Sequence, residues 1–297
     1  MRQKIVIAGG TGFIGRYLTR KFSADGYEVL IISRSGDFIH WNDNEKIKEA
    51  LEGAALLINL AGRSVDCRYT KRNKRIILES RVHTTQKLQQ ILDTCSTPPP
   101  LWINSSTATI YRHAEDRPMD EKTGEIGHGF SVNVAKAWEA AFFEKATPGI
   151  RKVALRAAIV LGKEGGVMKP YKALTRFGLG GVQGNGWQQF SWIHIEDLYR
   201  IICFVKESDS LTGIYNAASP YPVSNKVFMQ AMRQRIRPLF HMRTPYWMLH
   251  LGAAIIGTAT ELVLKSRWVI PGKLQEAGYQ FKYATIDTAL DEVLVSE

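Results

Sequence analysis

Cysteine is scarce in this chain: Cys67, Cys95 and Cys203 are its only three, widely spaced and without a Cys-x-x-Cys pair. That excludes a disulfide framework and a cysteine zinc site, and fits a reducing, cytoplasmic setting. No metal-ligand spacing involves the seven histidines, so no metal is expected. Long hydrophobic runs are lacking too. The apolar run at the N-terminus stops at Gly9-Gly10, too early for a signal-peptide core. The most apolar stretch, residues 247–264, is interrupted by His250, Glu261 and four Gly or Thr positions. A buried helix pair suits it better than a membrane span, and no membrane partner is expected. Repeats and low-complexity tracts are absent apart from Pro98-Pro99-Pro100, and 45% hydrophobic with 23% charged residues excludes disorder and fibrous coils.

Acidic residues are few relative to basic ones, leaving a net charge of +11. Between Arg63 and Lys87 eight basic residues meet only Asp66 and Glu79, and between Lys226 and Lys273 another eight face Glu261 alone. Tyr69 is the only ring in the first cluster, poor material for stacking on bases. Solvated helix faces explain these clusters best, an anionic-ligand pocket second and nucleic acid last, so no nucleic-acid partner is expected.

What the chain does have is an alternation of strand-length apolar runs and helical segments. Runs at 4–8, 28–33, 55–60, 101–105, 152–156 and 213–217 alternate with helical patterns at 13–23, 45–51, 71–95, 131–145 and 195–205. Strands apolar on both faces belong to a parallel sheet covered by helices on each side. The rhythm predicts an α/β fold, a doubly wound parallel sheet of the Rossmann type, with a smaller, mostly helical C-terminal cap. Residues 1–164 form the expected dinucleotide domain, with 190–218 returning to the sheet, and 165–297 the substrate-side cap. A glycine-rich passage around 178–186 reads as irregular, and Ser224 and Thr244-Pro245 read as helix starts.

Directly after the first strand stands Gly9-Gly10-Thr11-Gly12-Phe13-Ile14-Gly15. Gly9 allows a tight turn, Gly12 lets backbone amides approach a diphosphate, and Gly15 lets the helix pack on the strand; the helix N-terminus then favours the anion. A tight turn without a ligand is the plain alternative. At the end of the second strand an NAD site offers an acid to the ribose, but here stand Ser33-Arg34-Ser35. A planar guanidinium suits a 2′-phosphate, so NADP is favoured, with Asp37 keeping NAD as the lesser alternative.

Together with Asn59-Leu60-Ala61-Gly62, Ser105-Ser106-Thr107-Ala108-Thr109-Ile110-Tyr111 and Trp192-Ile193-His194-Ile195-Glu196-Asp197, this loop resembles the extended short-chain dehydrogenases/reductases of the NAD-dependent epimerase/dehydratase superfamily. Ser80-Arg81, Ala137-Trp138-Glu139, Val269-Ile270-Pro271-Gly272-Lys273-Leu274 and Gly278-Tyr279-Gln280-Phe281 resemble its atypical epimerase subfamily, which carries its own small C-terminal domain. The resemblance implies that Thr11, Gly12, Phe13 and Ile14 meet the pyrophosphate and Arg34 the adenosine phosphate. It implies also that Leu60, Ala61 and Gly62 pass beneath the adenine ribose and the nicotinamide side, that Ser105 touches the cofactor, and that Thr107 holds the substrate oxygen.

One element of that family's chemistry is missing. Its proton relay rests on a Tyr with a Lys four residues later, the Lys lowering the phenol's pKa and holding the ribose. If Lys136 is the lysine, the tyrosine position is Val132; if Glu139 sets the register, the pair is Ser131 and Ala135. Lys136 holding the ribose and Tyr111 giving a proton are the candidate substitutes, against a solvated lysine and a packed tyrosine. His194 reads as a satisfied structural histidine, and His113 and Glu121 are candidates by position only. The expected function is an NADP-dependent oxidoreductase or epimerase-like enzyme acting, as monomer or homodimer, on a small polar hydroxyl- or carbonyl-bearing molecule. The alternative is a non-catalytic NADP(H) sensor or scaffold.

Overall fold

The computed structural model describes residues 2–238 and 265–294; the helix start expected at Thr244-Pro245 and the apolar stretch 247–264 lie outside the described residues. Its centre is a sheet of seven parallel strands. In chain order these are β1 (Lys4–Ala8), β2 (Glu28–Ser33), β3 (Ile39–His40), β4 (Leu56–Asn59), β5 (Leu101–Thr107), β6 (Arg151–Ala157) and β10 (Gly213–Ala217). Their spatial order is β10-β6-β5-β4-β1-β2-β3. The chain starts in the middle at β1 and winds outward both ways, so β1 and β4 flank the point where the connections reverse. In open sheets of this kind ligands bind there, beyond the carboxyl ends of the strands.

Both faces of the sheet are covered, which is why its strands read as continuous apolar runs. On one face α1 (Phe13–Ala24) and α6 (Ile195–Glu207) bring Leu18, Phe22, Ile201 and Ile202 against Ile5, Ile7, Ile58 and Ile103. On the other, α2 (Asn44–Leu51), α3 (Lys71–Leu92) and α4 (Phe130–Phe143) bring Ile47, Leu88, Leu92 and Phe142 against Val6, Leu57 and Trp102. The ends of α2, α3 and α6 follow from side-chain caps: Asp43 accepts from the Lys46 amide, Thr70 from Asn73 and His194 from Glu196.

A second, smaller core holds the cap. Here α5 (Met168–Arg176), α7 (Asn225–Ile236, capped by Ser224) and α9 (Ile286–Leu294) pack Met168, Phe228, Met232 and Leu290 around Trp192. Two short sheets accompany it, β7 (Ile159–Leu161) with β9 (Trp192–His194), and β8 (Gln189–Phe190) with β11 (Val223–Ser224). Between Gly162 and the glycine-rich passage at 178–186 lies a helix, α5, whose short apolar face escapes a periodicity reading.

After α8 (Gly272–Glu276) the tail returns to the large core, where Leu274 and Tyr279 join Ile5 and Ile201. Asp197, fully buried in the first turn of α6, holds it there: its carboxylate accepts from the amides of Lys282 and Tyr283, both at 2.8 Å, and from the Tyr279 hydroxyl at 3.1 Å.

A buried polar chain ties sheet and cap together at the carboxyl edge. Arg156 of β6 makes a two-pronged ion pair with Glu139 of α4, at 2.8 and 2.7 Å, and Glu139 also accepts from Ser106 of β5 at 2.6 Å. The third Arg156 nitrogen donates to the Tyr111 hydroxyl at 2.9 Å; that hydroxyl donates to Asn216 of β10, whose amide side chain donates to Ile270 in the C-terminal segment. Burial alone would lower the Arg156 pKa, but the bonds to Glu139 overcome it and hold the guanidinium charged.

Arg156→Met leaves Glu139 buried without its counter-charge, and urea denaturation should show a loss of about 3–5 kcal/mol. The double variant Arg156→Met/Glu139→Leu should recover much of it, because no lone charge then remains inside.

Candidate functional site

The turn between β1 and α1 has the geometry its glycines require. Gly9 adopts a positive φ of 82°, and a Cβ there would lie 2.9 Å from the Leu60 backbone. A Cβ on Gly15 would lie 2.6 Å from the Gly10 backbone, so α1 sits flush on the turn only with glycine. Gly12 is different: a Cβ there meets nothing nearer than the Gly9 carbonyl at 3.5 Å, so its outer side opens to solvent. No side chain caps α1, which leaves the amides of its first turn free for an anion. Phe13 turns its ring away from that opening, against Gly162, Gly165 and Gly166, so its backbone is what faces the space above the turn. Ile14 is half-buried against the large core.

Next to this turn, at the end of β2, the Thr11 and Ser33 hydroxyls meet at 3.4 Å. Arg34 is exposed beside them, and no carboxylate lies within ion-pair distance of it among the described residues. The structure therefore brings Gly9, Thr11, Gly12, Ser33 and Arg34 together along one side of the edge.

On the other side of β1 lie the ends of β4 and β5. Asn59 is fully buried; its amide donates to Asn104 at 2.7 Å and Thr85 at 3.1 Å, and its carbonyl accepts from Ala61. These bonds fix the course of Leu60, Ala61 and Gly62. Ser105 is half-buried, whereas Ser106 points inward to Glu139. Thr107 ends β5 half-exposed; its oxygen accepts from the Thr109 amide at 3.2 Å, and its hydroxyl hydrogen has no acceptor among the described residues. It can donate to an oxygen of a molecule bound over the edge.

The structure also decides between the two registers of α4. Trp138 and Glu139 face inward, and Ala135 is buried with them, with Ser131 half-buried one turn before. Lys136 is exposed and lies two residues, about 200°, around the helix from Trp138. Ser131 and Ala135 thus lie on the side of α4 that carries Trp138 and Glu139, and Lys136 lies on the exposed side. Sequence reasoning singled out Arg81 only as part of a family motif. It reaches across from α3 and stacks on Trp138, 5.1 Å from the ring centre, with its guanidinium 3.0 Å from where a Gly62 Cβ would be. Tyr69 packs edge-on against Phe130, beside Ser131, with ring centres 5.0 Å apart.

Tyr111, expected as a proton donor, is 2% exposed, and its hydroxyl is engaged by Arg156 and Asn216. Burial raises its pKa. Its place is inside the polar chain, because the turn after β5 folds it under the edge. His113 accepts from the Ser266 amide on the surface, and Glu121 accepts from the amides of Asn216 and Lys273. His194 is 2% exposed; one nitrogen caps α6 and the other meets Glu292 at 2.8 Å. Burial lowers its pKa from near 6.5, with Glu292 opposing, so the unfolded chain takes up a proton first on acidification. Stability contributed by neutral His194 should therefore be lost as pH falls from 6.5 through the lower folded value. Denaturant midpoints between pH 7 and 5 should fall less steeply in His194→Asn.

The family described as NAD dependent epimerase/dehydratase matches residues 5–218. The chain belongs to that family. A domain described as DUF1731, of unknown function, matches residues 244–293. The Bacillus subtilis epimerase family protein YfhF is 30% identical, the match covering 98% of this chain and 97% of that one. The human epimerase family protein SDR39U1, crystallised with NADPH, superposes with a TM-score of 0.89 at 29% identity over 98% and 99% of the two chains. A nucleoside-diphosphate sugar epimerase from Corynebacterium glutamicum gives a TM-score of 0.79 at 27% identity, over 99% of this chain and 59% of that one.

The glycine turn of this epimerase-family chain makes a paired prediction. Gly15→Ala should destabilise by about 1–3 kcal/mol through the clash with Gly10, whereas Gly12→Ala should stay within about 0.5 kcal/mol. Urea titration of both variants checks it.

Proposed function

We propose that the protein is an NADP(H)-dependent oxidoreductase or epimerase-like enzyme. Its substrate is a small polar molecule bearing a hydroxyl or carbonyl, bound over the carboxyl edge beneath the cap. The observation that carries the reading is the pairing of an uncapped helix N-terminus behind Gly12 with an exposed Arg34, unpaired among the described residues, at the end of β2. The first suits a diphosphate and the second an additional phosphate on the adenosine ribose. The open side of Gly12 leaves room for close approach, so the residues present fit the group. The human relative crystallised with NADPH supports the same choice, with NAD the lesser alternative.

In this reading Thr11, Gly12, Phe13 and Ile14 hold the diphosphate, Ser33 and Arg34 the adenosine phosphate, and Leu60, Ala61, Gly62 and Ser105 the path toward the nicotinamide. When bound, a nicotinamide supplies or accepts the hydride. Thr107 donates its hydroxyl hydrogen to the substrate oxygen and so orients it and draws charge toward it.

A second reading, an NADP(H) sensor or scaffold without turnover, is favoured by one observation: the side of α4 that carries Trp138 and Glu139 holds Ser131 and Ala135, with no Tyr and Lys four residues apart. A single-turnover assay separates the two. Oxidation of bound NADPH on mixing with a panel of carbonyl compounds and nucleotide sugars supports the enzyme, and a flat trace across the panel supports the sensor.

Arg34→Ala should weaken NADPH by about 10- to 100-fold, roughly 1.4–2.8 kcal/mol, and leave NADH nearly unchanged. Gly12→Ala should weaken both. Quenching of the seven tryptophans reads the affinities; equal loss of both dinucleotides in Arg34→Ala would remove the preference for the phosphate.

A further inference from the structure

Arg81 is a cation whose setting is built and incomplete. One of its terminal nitrogens donates to the carbonyls of Ile77 at 3.0 Å and Arg63 at 3.1 Å. Its neighbour Ser80 accepts from the Arg63 amide at 2.9 Å, so the pair grips the segment after Gly62 from both sides. The guanidinium stacks on Trp138, whose indole donates to Thr85, and Thr85 in turn is held by Asn59. Residues of α3, α4, β4 and the segment after β4 thus determine where the charge stands.

No carboxylate lies within ion-pair distance of Arg81 among the described residues. Burial lowers its pKa to about 10, with Tyr69 partly opposing that shift. A half-buried charge without a counter-charge is unfavourable to hold and is retained where something else requires it. The carbonyls of Ile77 and Arg63 engage one nitrogen; the other two donors of the fork have no acceptor among the described residues.

Position says what those donors meet. Gly62 is exposed, lacks a side chain, and follows β4, on the side of β1 opposite to Arg34. A dinucleotide whose adenosine phosphate rests on Arg34 and whose diphosphate rests on α1 extends its nicotinamide half past Gly62 toward Thr107. Arg81 stacks on Trp138, on the same face of α4 as Ala135, where the lysine is missing.

We propose that Arg81 replaces that lysine from a different helix, binding an oxygen of the nicotinamide half of the dinucleotide, ribose hydroxyl or phosphate. The assignment rests on the dinucleotide-binding reading above. The same guanidinium keeps its grip on Arg63, so the site and the course of the segment after β4 are set by one side chain.

The test compares NADPH with 2′,5′-ADP, which carries the adenosine phosphate but no nicotinamide half. Both are titrated calorimetrically into wild type, Arg81→Gln and Arg81→Lys, with a urea midpoint for each protein. Arg81→Gln should weaken NADPH at least tenfold, leave 2′,5′-ADP within twofold, and show no NADPH protection that 2′,5′-ADP does not give. Arg81→Lys should recover most of the loss by restoring the charge. Equal affinity of Arg81→Gln and wild type for NADPH would overturn the assignment, as would parallel loss of both ligands, which marks a purely structural clamp. Should Arg81→Gln fail to fold, Arg81→Lys carries the comparison: a selective loss of NADPH of up to threefold supports the assignment, and a parallel loss of both ligands overturns it. Wild type that binds neither ligand refutes the dinucleotide reading itself, a result distinct from all of these.

Discussion

The Arg156–Glu139 ion pair is the constraint on which the carboxyl edge depends. It links β6 to α4, and through Ser106, Tyr111 and Asn216 it extends to β5, the turn after it, β10 and the C-terminal segment. A charge pair buried this deeply is not an efficient way to gain stability, because desolvation consumes most of the Coulomb attraction. What it provides is position. The two-pronged geometry holds α4 in one orientation relative to the sheet, and that orientation places Trp138 under Arg81.

A second polar system repeats this logic one strand over. Asn59, Asn104, Thr85 and Trp138 form a hydrogen-bonded set between β4, β5, α3 and α4. Every member has a partner, which is the condition under which buried polar groups specify structure and do not weaken it. The two systems converge on Trp138 and Glu139, neighbours in sequence that face different elements. The ligand edge thus rests on rigid strands and helices, with mobility left to side chains such as Arg34 that stand in solvent.

The tail adds the third constraint. Asp197 fixes the return of residues 279–283, and His194, three residues before it, meets Glu292 of α9. In the Trp-Ile-His-Ile-Glu-Asp stretch, His194 and Asp197 therefore fasten the C-terminal segment to the sheet, while Glu196 accepts from Tyr17 and Lys21 of α1.

Much of the architecture was legible in the residue order. The apolar runs gave six of the strands of the main sheet, because parallel strands covered on both sides leave no polar face to confuse them with loops. Gly9, Gly12 and Gly15 announced their turn by their spacing after the first strand, although the backbone that crowds Gly9 is that of Leu60, far along the chain. Two-residue β3 and short α5 were not legible, as neither is long enough for a period to show. The exposure of Lys136 and the burial of Tyr111 were not legible, because sequence spacing does not say which side of α4 faces the sheet or whether a turn folds its tyrosine inward. Those facts depend on contacts between residues far apart in the chain, 111 with 156 and 139 with 156. Arg81 stands over Trp138 for the same reason: 57 positions separate them in the sequence, and only the packing of α3 on α4 brings them together. The sequence alone determined the doubly wound parallel sheet and the glycine turn after its first strand, products of local pattern; the tertiary structure alone decided which charged side chain stands over Trp138 beside Gly62, because that is a matter of long-range packing.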